Sequence, residues 1–411
     1  MHSLFRRAKA PPAAAAPAPM PMLSFPGKKA LRFTGDTSVA ERDTDLAKLM
    51  LARAHVVALA ASDGSGKKKQ AASAAEAAAA LRAYIRIVYA AEMNGASSHQ
   101  PLRFAWRDDA GGSTSNTKKA SRASSSSSSA VESQAGYASL ATEHAVALFA
   151  LAAELARAAA EEDRRGVDGV RRACAALADA AGALGAAAAK VRRAADGPEG
   201  GGLCHMTGAC LAALERLMLV QAHECYFELA LAGGKQAALC AKIARQVSLD
   251  YQQVSIALES LQQQHQPIDK LWAPHAQAKA FYFHGEACLL HARALLEQGA
   301  GSVGEAVARL RFALSPAVLD GAGSKAAIKK CAAPVREAAA ALRREVETEL
   351  AAAERDNCQV FFERVPPADA LPALPGLAQP LVRPSAEESV LREADGDPPL
   401  ARGGAPTTAR H

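Results

Sequence analysis

Two glycine-rich stretches and one cysteine–histidine group are where residue types and spacing could do chemistry. ASDGSGKKKQ (Ala61–Gln70) follows the apolar run HVVALAA and is close to a phosphate-cradling loop. That loop needs G-x-x-x-x-G-K-[ST]: amides ring the phosphates, a lysine meets their charge, and a hydroxyl holds magnesium. Ala61 stands where the first glycine belongs, and Lys68 where the hydroxyl belongs. The run before it looks helical, so a basic loop is expected. GAGSVG (Gly299–Gly304) has the spacing of a dinucleotide-binding turn. Such a turn joins a strand to the helix whose N-terminus meets the pyrophosphate. Here it follows an apparent helix, and a helix-to-helix turn is expected. Cys204, His205 and Cys210, with His223 and Cys225 downstream, carry metal-ligand atoms. Zinc sites use close cysteine pairs, whereas Cys210 and Cys225 lie far apart on one helical segment. The chain has no G-x-S-x-G and no H-E-x-x-H. The expectation is a non-enzymatic protein with no metal site and no cofactor.

The elements around these stretches are helical. The 411 residues suffice for one large domain or two smaller ones. Aromatics are 5% of the chain, and alanine, the best helix former, dominates the apolar content. The net charge of +6 sits largely in short runs: Arg6, Arg7 and Lys9; Lys67, Lys68 and Lys69; Lys118, Lys119 and Arg122. A nucleic-acid groove would interleave stacking aromatics with such charge, so nucleic acid is not an expected partner. Weak contact with an anionic membrane surface is, at about 1 kcal/mol per basic residue. The eight cysteines follow no regular framework and read as small core residues in a reducing compartment. No run of about 18 strongly apolar, uncharged residues suggests a membrane span.

Residues 1–21 are basic and rich in alanine and proline. They share a bias with organelle transit peptides, but the prolines break a continuous helix, and a disordered tail is expected. Residues 22–35 have room for a short strand. LRFAWRD (Leu102–Asp108) alternates apolar and polar residues with a period of two, the pattern of a half-buried strand. The two strands are expected to pair. A flexible serine-rich loop is expected over 109–130, where too little apolar surface exists to offset ordering. Elsewhere the period is helical. One stripe is Leu140, His144, Leu148, Leu151 and Leu155. Another is Leu214, Met218, Ala222, Cys225 and Leu229. A third runs from Leu239 through Ile243, Val247, Tyr251, Val254 and Leu258 to Leu261. Gly233-Gly234 separates the last two as a stop and turn. A helix is expected over 274–298. A final one is expected through Ile328, Cys331, Val335, Leu342, Val346 and Leu350. Long helices joined by short turns imply antiparallel hairpins stacked as an α-solenoid resembling tetratricopeptide repeats.

Five phrases, in order, carry a more specific signal: LRFAWRDDA, MLVQAHECYFELAL, AKAFYFHGEACL, GEAVARLRFAL and RDNCQVFFERVP. Together they resemble the Bro-type domain family of Alix, rhophilin, Brox and their plant relatives, over about residues 22–385. The absence of a second region makes the chain similar to single-domain, Brox-like or plant members, though it departs from Brox in lacking a prenylation box, so stable lipid anchoring is not expected. The resemblance implies a mostly α, boomerang-shaped α-solenoid with tetratricopeptide-like hairpins and a small N-terminal β-sheet. It implies a Bro-type domain over 22–385 and a disordered tail over 386–411. It further implies an adaptor of the endosomal sorting (ESCRT) pathway, cytoplasmic and recruited peripherally to endosomes. Its partner would be the C-terminal amphipathic helix of an ESCRT-III charged multivesicular body protein, docked on an apolar concave patch. By alignment of the phrases, Tyr226, Leu239, Ile243 and Leu381 fall on that patch, and Arg171 aligns with a flanking basic contact. Tyr226 stands where Alix has phenylalanine, and Phe361 where the family has tyrosine. Two other readings stay open on the residues alone. One is a basic helical scaffold on membrane surfaces. The other is a tetratricopeptide-like peptide binder with an unrelated partner. Periodicity by itself favours core for Leu239 and Ile243.

Overall fold

The computed structural model describes residues 19–32, 44–60, 73–94, 103–108, 139–195, 206–266 and 268–392. The Ala61–Gln70 stretch, the serine-rich loop, Cys204, His205 and the three basic runs lie outside them, as do residues 1–18 and 393–411 of the expected tails. The described chain falls into two compact units. The first takes residues up to Leu23, Glu162–Cys174 and Val220–Leu381. The second takes Ser24–Glu161, Ala175–Leu219 and the residues from Val382 onward.

The second unit contains the expected sheet. Strand β1 (Lys28–Ala30) pairs antiparallel with β2 (Trp106–Asp108), Ala30 opposite Trp106. Helices α1 (Thr44–Ala60) and α3 (Leu140–Glu161) pack with β1, and α2 (Ala74–Met93) packs on both helices. Ser73 caps α2 in a capping box with Glu76, which satisfies orphan amides at the helix start. The predicted α3 stripe is buried throughout. At the centre lies Arg53, fully buried on α1. Its Nε donates to Leu31 O (2.9 Å) and its Nη2 to Ala105 O (2.6 Å). Its Nη1 donates to Tyr84 Oη (3.0 Å) and pairs with Glu143. Trp106 Nε1 donates to the same carboxylate at 2.8 Å. A buried charge is tolerated only when paired and fully hydrogen-bonded, and here the residues next to the strands, Leu31 and Ala105, supply the carbonyls.

Helix α4 (Val167–Ala195) is alanine-rich, and its residues are divided between the units, as are those of α5 (Gly208–Ala232). By length and a mean hydropathy of 1.3 over its most apolar window, α4 could cross a membrane. Every such window contains Asp179, so it is not the uncharged apolar run that would suggest a membrane span. Ala173, Leu177, Ala180, Leu184 and Ala187 form a buried stripe along it, as in a core helix.

The first unit continues with α6 (Ala237–Gln263), α7 (Trp272–Gln298), α8 (Val303–Ala313), α9 (Ala322–Lys330) and α10 (Ala333–Asp356). Helices α6 and α7 are antiparallel. Ser248 Oγ donates to Ala280 O (2.9 Å), and seven residues on Ser255 Oγ donates to Ala273 O, seven residues back (3.2 Å). Cys288, Leu289, Val307, Leu310, Leu342 and Val346 form the core of α7, α8 and α10. The single helix expected through Ile328 and Leu350 is instead broken at Cys331-Ala332, both extended. Pro334 is the reason: it lacks an amide, clashes with the preceding turn, and is tolerated only in the first turn of α10. GAGSVG is the expected helix-to-helix turn, with Gly299 and Gly301 at φ +80° and +94°. After α10, a π-turn (Asn357–Phe361) leads into an extended exit segment. Beyond residue 385, expected as tail, α11 (Glu387–Val390) belongs to the second unit with Val390 buried. Of the described cysteines, Cys358 alone is exposed and departs from the core reading.

Candidate partner-helix interface

The first unit is built around a buried charge network. Glu224 on α5 accepts from Lys279 Nζ on α7 at 3.0 and 2.8 Å, and Tyr251 Oη on α6 donates to it. Arg164 lies 3.8 Å from Glu224, donates to Glu228 at 2.6 Å, and also donates to Met20 O. Burial pulls the Lys279 ammonium down, and Glu224 opposes that. Burial first, then the Glu224 charge, pushes the Glu228 carboxyl up to about 7. Each ion is costly to remove from water alone. The network therefore ties α5, α6 and α7 into one relative placement.

On this frame the α5–α6 hairpin sets the apolar positions. Gly234, at φ +63°, occupies a left-handed turn that other residues adopt only at a cost. Lys235 N donates to Ala230 O (3.1 Å) and Gly234 N to Leu231 O (3.0 Å), closing the helix end. The register follows from His223–Asp250 (2.9 Å) and Glu224–Tyr251. Counting toward the turn from these pairs, Tyr226 lies roughly one helical turn from Ile243 and two from Leu239. Tyr226 and Leu239, both expected on one patch, are thus not side by side. Leu231, 43% exposed, is the α5 residue across from Ile243.

The five expected residues differ in availability. Tyr226 is half-buried. Leu239 is 41% exposed on the first turn of α6, and Leu381 is 38% exposed. Ile243 is 2% exposed. It joins the buried stripe of Cys240, Ala244 and Val247, and so supports the surface from beneath instead of presenting a free side chain. Leu239 and Ile243 share a direction, but Leu239 lies where the helix begins and cover ends. Arg171 is exposed and pairs with Asp168 on its own helix at 3.2 Å. Among the described residues no hydrogen bond or ion pair joins Arg171 to α5 or α6. Leu381 follows a segment that crosses α6: Leu377 N donates to Gln246 Oε1 at 3.2 Å, and Arg309 Nη2 holds Pro372 O at 2.9 Å.

Sequence reasoning missed Leu231. Its signal was its place as the last large apolar residue before Gly233-Gly234. It also missed a cavity of about 460 Å³ lined by Val167, Val170, Phe227, Leu231 and Tyr282, with Glu286 on its wall. Among the described residues no group of three or more histidine, cysteine or acidic side chains could hold a metal ion. Cys210 and Cys225 are buried separately, and His223 is paired with Asp250.

Solved structures share the fold of this chain. The ALIX BRO1 CHMP4C complex contains a chain matching with a TM-score of 0.66 at 20% identity, over 92% of this chain and 98% of that one. A Bro1-domain structure concerned with endosomal targeting matches with a TM-score of 0.65 at 14% identity, over 90% and 94%. At such identities the likeness is one of fold. Among curated proteins, Vacuolar-sorting protein BRO1 of Arabidopsis thaliana is 34% identical over 244 residues, 59% of this chain and 27% of that protein. pH-response regulator protein RIM20 of Yarrowia lipolytica is 33% identical over 162 residues, 39% and 20%. The matches thus span under a third of those relatives' lengths. The family model of the BRO1-like domain matches residues 96–400, which takes in every helix from α3 to α11, and on that match the chain belongs to the BRO1-like domain family.

Proposed function

We propose that this chain is a non-catalytic adaptor of endosomal sorting, recruited from the cytoplasm to endosomes, that binds the C-terminal amphipathic helix of an ESCRT-III charged multivesicular body protein. The observation that carries the reading is Leu239: a large aliphatic side chain, 41% exposed, on a helix whose next turn is buried. An amphipathic helix places apolar anchors at i, i+3/i+4 and i+7 in such a surface. Tyr226, Leu239 and Leu381 are the anchoring positions, Leu231 extends them, Ile243 is the floor, and Arg171 meets an acidic residue at the rim. The fold match to a BRO1 domain solved with CHMP4C and the kinship to a vacuolar-sorting protein support this choice of partner.

The experiment is titration of labelled C-terminal helices from a panel of ESCRT-III subunits with the full chain, followed by anisotropy. At least one helix should bind, and Leu239→Asp should weaken it by about tenfold or more, since a buried leucine is worth about 1.5–3 kcal/mol. Unchanged binding by a folded Leu239→Asp protein would move the site elsewhere, and failure of every helix would refute the partner class.

A further inference from the structure

The π-turn that ends α10 leaves two large apolar side chains in solvent while fixing the backbone that carries them. Val360 is 60% exposed and Phe362 75%, the latter the most exposed large hydrophobic side chain of the first unit among the described residues. Neighbouring apolar residues that have a route inward take it: Val365 and Leu374 pack on the α7–α8–α10 core. Phe362 is also strained. Its φ of +53° is left-handed, a conformation unfavourable for a residue with a β-carbon.

The strain is held by a built clamp. Phe362 N donates to Asn357 O at 2.7 Å. The Asn357 amide, itself buried, donates to Glu363 O and accepts from Glu363 N, both at 2.9 Å. Glu363 in turn accepts from Gly301 N (2.5 Å) and Gly304 N (2.8 Å). π-turns and left-handed non-glycine residues concentrate where a function requires the side chain.

The exposed charge around the tip bears on the partner. Glu354 is paired with Arg311 at 2.7 Å, and the Glu363 carboxylate keeps its charge but is turned onto the two backbone amides. Arg355 and Arg364, which flank the tip in sequence, are both exposed, as is Asp356. Exposed aromatic and aliphatic side chains flanked by guanidiniums match the boundary of an anionic bilayer. There the rings enter the acyl edge and the cations meet headgroup phosphates. We propose that Val360 and Phe362 form a membrane-inserting wedge that holds this chain on an anionic lipid surface. The wedge is separate from the helix-binding residues and stands or falls apart from them.

The test is co-sedimentation of the full chain with phosphatidylcholine vesicles, with and without phosphatidylserine. The wild type should bind the anionic vesicles. Phe362→Gly removes the ring and suits a left-handed backbone, so it should keep or raise the melting temperature while losing about tenfold or more of the binding. Val360→Ser should lose binding in the same direction, and serves if Phe362→Gly fails to fold. Phe362→Trp should show a blue-shifted emission on adding anionic vesicles. Wild-type binding in a folded Phe362→Gly protein, or an unshifted tryptophan, would overturn the proposal. So would a wild-type dimer that Phe362→Gly converts to monomer, since the wedge would then cover a second copy of the chain.

Discussion

Glu363 holds Gly304: its carboxylate accepts the Gly304 amide at 2.8 Å and spans back to Gly301 at 2.5 Å. A turn with the spacing of a nucleotide-binding motif thus receives a carboxylate of its own chain. The chemistry is the same, an anion at the amides of a helix N-terminus, with the anion supplied internally. The contact anchors the exit segment that leads on to Leu381.

This anchor fixes the sign of a substitution at Gly304. Alanine would ordinarily gain about 1 kcal/mol inside a helix. Here its β-carbon would meet Arg364 O at 2.4 Å. Backbone cannot yield as a side-chain tip can, so the clash wins. Gly304→Ala should destabilise by about 1–3 kcal/mol and Glu363→Gln by about 1 kcal/mol, both read from urea midpoints. A stabilised Gly304→Ala protein would show that the exit segment is not packed as described.

Leu239 and Ile243, one turn apart, should respond oppositely to the same substitution. Leu239→Asp places a carboxylate in water and should change stability by less than about 1 kcal/mol. Ile243→Asp buries one and should cost more than about 4 kcal/mol or abolish folding. Circular dichroism melts of the two variants settle it. Equal losses would make Leu239 a core residue.

The Glu224–Lys279–Arg164 network should behave as a unit. Lys279→Met leaves the Glu224 carboxylate short of a buried partner and should cost about 3–5 kcal/mol. Glu224→Gln leaves Lys279 uncompensated, with a loss of similar size. The double variant should lose clearly less than both losses together, because the charge left behind is then removed. Additive losses in denaturant titrations would contradict the shared network.

Glu286, on the cavity wall, gives a pH dependence. Burial first, then the charge of Glu345, pushes its carboxyl up to about 7. In the unfolded chain it ionises in the ordinary glutamate range. Folding is therefore penalised as pH rises from that range through about 7. Glu286→Gln should match the wild type near pH 4 and exceed it by about 1–2 kcal/mol near pH 8, a figure discounted for partial exposure. Melting at both pH values checks the sign, and a gain at low pH alone would refute it.

The helical stripes, the paired strands and the two glycine turns were legible because each depends on local periodicity or on one residue's backbone freedom. The break before α10 was written in Pro334, but the apolar period running through it was given more weight than the missing amide. Arg53, Glu224 and Lys279 were not legible. Each sits in an apolar helical phrase, and its partners are distant in sequence: Leu31, Ala105 and Glu143 for Arg53. A period reports which way a side chain points, not whether anything covers it. Hence Leu239 and Ile243 read alike in sequence yet differ in exposure, and Leu231 went unnoticed.

Arg53 has a consequence for the order in which the second unit opens. Strands of three residues cannot persist alone. Theirs are fastened to α1, α2 and α3 through one guanidinium, so sheet and helices come apart together. The Leu31 amide, bonded to Ala105 O at 3.0 Å, should therefore exchange its hydrogen with solvent as slowly as the central amides of α3. A two-stranded ribbon then reports the global opening of a helical unit.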